Sequence, residues 1–221
     1  GLPPGAVGRG ARGVDPARAL CDEALRLGRL LAELAPDESE VHGLVALMAL
    51  QASRMAARVD AQGRPVLLMD QDRSRWDRLL IRRGLQALDR ARALGGANRP
   101  YALQAELAAC HAVAPSAEQT DWARIVSLYD QLACVAPSPV VELNRAVAVS
   151  MANGPAAGLA LVDALRDEPA MRNYHLLPSV RGDLLARLGR RDEARAEFER
   201  AAEMARNAQE KALLLARARK V

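Results

Sequence analysis

Apolar residues recur every three or four positions along most of this chain, and the runs are punctuated by Pro, Gly and Asp. That period predicts α-helices. Asp15-Pro16 offers an N-cap followed by Pro, so a first helix is expected to about residue 34, with Leu20, Ala24, Leu27 and Leu31 on one face. Pro36-Asp37 breaks the chain, and a second helix should reach about residue 58 with Val41, Leu44, Val45 and Met48 turned inward. Residues 59–68 depart from this period: short apolar arms flank a Gly-containing turn, which predicts a small β-hairpin. Ser74 to Asp77 then matches a Ser-x-x-acid capping box, opening a long helix that should stop at Gly95-Gly96. Further helices are expected over 100–113, 120–135 (capped by Thr120), 138–153, 155–165, 174–188, 192–205 and 207–220. Residues 1–14 hold five glycines and two prolines without an apolar period and read as a linker or N-terminal remnant.

The helices repeat in pairs. Ile125, Tyr129, Leu132 and Pro137 set a frame that Ala157, Leu161, Ala164 and Pro169 repeat. Ala194, Phe198 and Ala201 repeat it again after the turn Leu188-Gly189, and Ala24, Gly28, Leu31 and Pro36 carry it near the start. A spacing near 34 residues, with small residues where helices cross, resembles the tetratricopeptide repeat. The expected fold is therefore all-α: a tetratricopeptide-like right-handed helical superhelix with one small β-hairpin insertion. Residues 15–221 read as one helical-repeat domain, in a first part over 15–94 and repeat pairs over 98–221.

Composition narrows the picture. Half of the residues are hydrophobic and only 3% aromatic, which suits Leu/Ala-rich helices. The net charge is +4, and the cations are nearly all Arg, Lys211 and Lys220 being the lysines. That balance fits solvated helix faces better than a nucleic-acid surface. Cys21, Cys110 and Cys134 are odd in number and widely spaced, as small thiols in a reducing cytosol would be. No apolar run is long enough to span a bilayer, so a cytoplasmic protein without a membrane partner is expected.

No catalytic signature appears. His42, His111 and His175 are far apart and in no metal-ligand frame, no Gly-rich phosphate loop exists, and no cofactor or metal is implied. The densest polar chemistry is the octet Asp70-Gln71-Asp72-Arg73-Ser74-Arg75-Trp76-Asp77. As a junction, it would pair Arg73 and Arg75 with the aspartates, cap with Ser74 and Asp77, and send Trp76 into the core. As an interaction face, its carboxylates would receive a partner's Arg residues with Trp76 as an apolar platform. Acid/base work by the paired carboxylates is the third reading. A second polar island, with Glu118, Asp121 and Trp122, has the same form and is a secondary candidate surface that could share one docking face with the octet.

The octet also carries a resemblance. Together with Arg58-Val59-Asp60, Gly63-Arg64 and Leu67-Leu68, it resembles the C-terminal extension of one group of extracytoplasmic-function (ECF) RNA polymerase sigma factors. The blocks Pro36-Asp37-Glu38, Ala114-Pro115-Ser116-Ala117-Glu118, Thr120-Asp121-Trp122, Leu143-Asn144-Arg145-Ala146-Val147-Ala148 and Tyr174-His175-Leu176-Leu177-Pro178 agree with it. The resemblance implies a tetratricopeptide-like regulatory, non-enzymatic domain of a bacterial transcription initiation factor. Its implied partners are the sigma regions of the parent protein and RNA polymerase. DNA would be met only through sigma regions 2 and 4, which this sequence lacks. A free-standing repeat adaptor and a small-molecule sensor are the alternatives.

Overall fold

Proline, glycine and short polar side chains divide the chain into helices where the sequence pattern breaks. The computed structural model describes residues 16–221, so the expected N-terminal linker and the Asp15 cap lie outside the described residues. The helices are α1 (Pro16–Leu34), α2 (Ser39–Ala52), α3 (Arg78–Ala93), α4 (Pro100–Val113) and α5 (Trp122–Val135). They continue with α6 (Pro139–Asn153), α7 (Pro155–Ala164), α8 (Leu176–Arg187), α9 (Arg191–Met204) and α10 (Ala208–Ala218). The stops have local causes. Ser138 Oγ accepts the Val141 N–H and opens α6, and Gly154, at φ +95°, ends it in a conformation that side chains rarely adopt. Asn207 caps α10 in the same way as Ser138 caps α6.

Three local expectations are corrected. The second helix ends at Ala52, and the chain continues in a 3-10 turn, Met55–Ala57. No strand forms among the described residues: the expected hairpin is reduced to one antiparallel bridge between Val59 and Pro65. The reason is chemical. Asp60 Oδ1 accepts the N–H groups of Gln62 and Arg64, which diverts the Arg64 donor from a ladder, and Pro65 has no N–H to give. Third, Thr120 is buried and does not cap α5; Asp121 does, accepting the Arg124 N–H at 2.9 Å.

Helices pack mainly on their neighbours in sequence, with α2 as the exception: it is embraced by α1, α3 and α4 together. The close approach of α2 and α4 needs Gly43, because a Cβ there would stand 2.8 Å from the Ala102 backbone nitrogen. The core follows the array in three clusters. One joins α2, α3 and α4 around Leu50, Leu88 and Trp76. A second joins α4, α5 and α6 around Leu103, Ile125 and Leu128. The third runs from α6 to α10 around Phe198.

The inward face expected for α2 is only half of its burial. Val45 and Met48 meet Gly28 of α1, while Ala46, Ala49 and Leu50 are sealed on other sides of the helix. In α1 the expected apolar face is largely open: Leu20 is 73% exposed and Leu27 52%. Gly28 is the residue of α1 that is buried.

Candidate functional site

The octet lies between α2 and α3, and its eight residues have divergent environments. Asp70 ends a 3-10 turn (Leu68–Asp70) and is exposed. Gln71 Nε2 donates to the Val66 carbonyl at 3.2 Å, while its Oε1 is buried without a protein partner. Asp72 caps the next 3-10 turn (Arg73–Arg75), accepting from the Ser74 N–H at 2.9 Å and the Ser74 hydroxyl at 2.6 Å. These two donors hold the Asp72 carboxyl below its usual range. Asp77 accepts the N–H groups of Leu79 and Leu80 at 2.9 and 3.0 Å and is the true N-cap of α3. Ser74 therefore does not form the expected capping box; it lies one turn too early, inside the 3-10 turn. The Asp77 N–H also donates to the Ser53 carbonyl, which ties the octet to the end of α2.

Arg73 corrects the simple pairing of arginines with aspartates. Its side chain turns inward and donates to the carbonyls of His111 and Ala114, and reaches Thr120 Oγ1 at 3.5 Å. Its guanidinium stands 4.7 Å from the Trp76 ring centroid. Burial lowers its pKa, the charge of Glu118 partly opposes that, and Arg78 adds to it. Arg75 stays outside and donates to the Val59 carbonyl at 3.4 Å.

Through Arg73 the structure joins the two polar islands. Ala114 and Thr120 belong to the loop that carries Glu118, and that loop leads into Asp121 and Trp122. Glu118 is exposed, Asp121 caps α5, and Trp122 is half-buried with its ring edge-on to His111 at 5.4 Å. Trp76 is only 2% exposed and its Nε1 has no protein partner, so it offers no platform to a partner. What the octet presents outward is Asp70, Asp72, Ser74, Arg75 and Asp77.

Beside this junction lies a feature not drawn from the sequence pattern. A cavity of about 620 Å³ opens between α2, α4, α5 and α6. Leu68, Leu107, Leu132 and Val141 give it an apolar lining; Arg54, His111, Tyr129 and Asn144 add polar groups. Burial first, then the charges of Arg54 and Arg73, push the His111 pKa down to about 4, so its ring is neutral near pH 7. Its Nδ1 is buried without a partner. Burial, followed by the charges of Arg58 and Arg73, brings the Arg54 pKa down to about 10. These residues are spread over 90 positions of sequence (54 to 144), from the turn after α2 to α6, and no local motif connects them.

Among the described residues no group of three or more His, Cys, Asp or Glu could hold a metal ion, and no helix is long and apolar enough to cross a membrane. The three cysteines are free.

Residues 11–92, which include the whole octet, match the Family of unknown function (DUF6596). Over 198 residues the chain is 50% identical to the Uncharacterized protein R00370 of Rhizobium meliloti (strain 1021), a match that covers 88% of this chain and 45% of that protein. The chain thus spans about half the length of the curated relative it resembles.

Proposed function

We propose that this chain is the regulatory protein-interaction domain of a bacterial ECF sigma factor, built as a tetratricopeptide-like right-handed superhelix. The observation that carries the reading is the octet and its flanking blocks, whose order along the chain resembles the extension of such factors. Three further points support it. The family matched by residues 11–92 is a domain found in sigma-factor-associated proteins. Consecutive helices pack on one another in an open-ended array, the arrangement that gives repeat proteins their extended binding surfaces. The matched relative is more than twice as long as the aligned stretch, which leaves room in it for sigma regions.

The mechanism is steric and electrostatic. Arg73 holds the α4–α5 loop against the octet and thereby fixes one rigid edge, on which Asp70, Asp72, Arg75 and Glu118 face solvent. Sigma regions, or RNA polymerase, contacting that edge would shift the balance between active and inactive factor by their differential affinity for the two states. The test is a pull-down of this 221-residue chain against separately expressed ECF sigma regions 2 and 4, read beside transcription from a cognate promoter. Retention lost in the Asp70→Ala/Asp72→Ala double variant, with its melting temperature unchanged, supports the reading. Absence of any retention, with no effect of the chain on transcription, removes it.

A further inference from the structure

The cavity between α2, α4, α5 and α6 has a charge pattern that the fold leaves unanswered. Arg54 lines it and donates to Gln51 Oε1, a neutral acceptor that also takes a bond from Arg58 at 3.1 Å. Among the described residues no Asp or Glu lines the cavity, and none forms an ion pair with Arg54 or Arg58. The carbonyl end of α2 offsets part of this charge, since Arg58 also donates to the Gln51 carbonyl at 3.3 Å. A guanidinium held in a concave wall without a carboxylate is an unfilled anion partner.

Other groups converge on the same space. The Tyr129 hydroxyl and the Asn144 carboxamide line the cavity and make no hydrogen bond among the described residues. His111 is neutral and its Nδ1 has no partner, so the protein does not dictate which ring nitrogen carries the proton. Around them lie Leu68, Leu107, Leu132, Val140 and Val141. A volume of about 620 Å³ is that of a small-molecule site, with an apolar lining and a few fixed polar groups.

We propose that this cavity binds a small organic carboxylate, its apolar body against Leu107, Leu132 and Val141 and its carboxylate paired with Arg54. One guanidinium and neutral hydrogen-bonding groups match a monoanion, whereas a phosphate dianion would call for more positive charge at the wall. The inference stands apart from the sigma-factor reading. It needs only the geometry of the cavity.

The test uses the intact 221-residue chain, titrated with 4-phenylbutyrate and decanoate and followed by ¹⁵N-resolved chemical shifts and calorimetry. Saturable binding is expected, with shifts centred on α4, α5 and α6. The neutral amide 4-phenylbutyramide should bind at least about tenfold more weakly, and Arg54→Gln should lose about the same factor for the acid alone. Val141→Phe, which fills the apolar wall, should abolish binding of both acids and decides the matter if Arg54→Gln fails to fold. Equal binding of acid and amide, or no shift with either acid up to millimolar concentration, overturns the proposal. So does selective binding of an acidic, apolar peptide in place of both small acids, which would assign the cavity to a protein segment.

Discussion

Two arginines are equally buried in this chain, each 9% exposed, and they are neutralised in opposite ways. Arg181, on α8, donates to Asp163 at 2.7 Å and to Glu197 at 2.8 Å, bridging α7 and α9. Burial pulls its pKa down, but the two carboxylates outweigh that and hold it above the usual arginine value. Arg73, in the octet, forms no ion pair with a carboxylate; carbonyls, a hydroxyl and the Trp76 face surround it, and burial, only partly opposed by the charge of Glu118, leaves its pKa below the usual value. The difference is what each latch holds. Arg181 ties helix to helix, where side chains can supply counter-charge. Arg73 ties a loop by its backbone, whose acceptors are neutral, and so leaves positive potential beside the cavity.

That contrast can be broken from either side. The largest effect is expected for Arg73→Met, which orphans the His111 and Ala114 carbonyls and removes the cation from Trp76: about 3–4 kcal/mol of unfolding free energy, measured by urea titration. Arg73→Lys should recover less than half of it, because a point ammonium cannot span three acceptors.

Acid should reveal the second effect. With the His111 pKa at about 4 in the folded chain against about 6.5 unfolded, the unfolded state binds more protons between those values. Its contribution is therefore fully present above about pH 6.5 and is lost as pH falls through 4, on the order of 3 kcal/mol in all. His111→Phe should flatten the stability–pH curve over that window; an unchanged slope would show that the ring is not buried neutral.

On the other side of the comparison, Arg181→Met leaves Glu197 buried and unpaired and should lower stability by about 2 kcal/mol, Asp163 being partly solvated. Arg181→Met/Glu197→Leu together should recover most of that loss, whereas no single second change rescues Arg73→Met. The smallest effect is that of the caps: Asp77→Ala and Ser138→Ala should each cost about 1 kcal/mol, by thermal melts.

What could be read in the sequence was what is local. Pro100, Ser138-Pro139, Pro155 and Asn207 mark helix starts because caps act on residues within a turn of themselves. The hairpin is the exception, because its apolar arms are real but its donors are not available: Asp60 takes one N–H and Pro65 lacks another. Ser74 matched a capping pattern that Asp77, three residues on, fulfils. Sequence proximity pairs Arg73 with the aspartates beside it, whereas its acceptors stand 38 to 47 residues further along. Chain proximity names candidate partners, and packing chooses among them. The cavity was invisible for the same reason, since Arg54, His111, Tyr129 and Asn144 meet only when four helices do.

The near-neighbour order of helix contacts has a kinetic consequence. α1 rests on α2 and α10 on α9, so either end can open at the cost of one interface, whereas α2 must shed three. Amide hydrogen exchange should therefore be fastest in α1 and α10 and slowest in α2 and α4, a gradient set by position in the array rather than by helix propensity. Such a chain unzips from its ends, and its central helices are the last to let go.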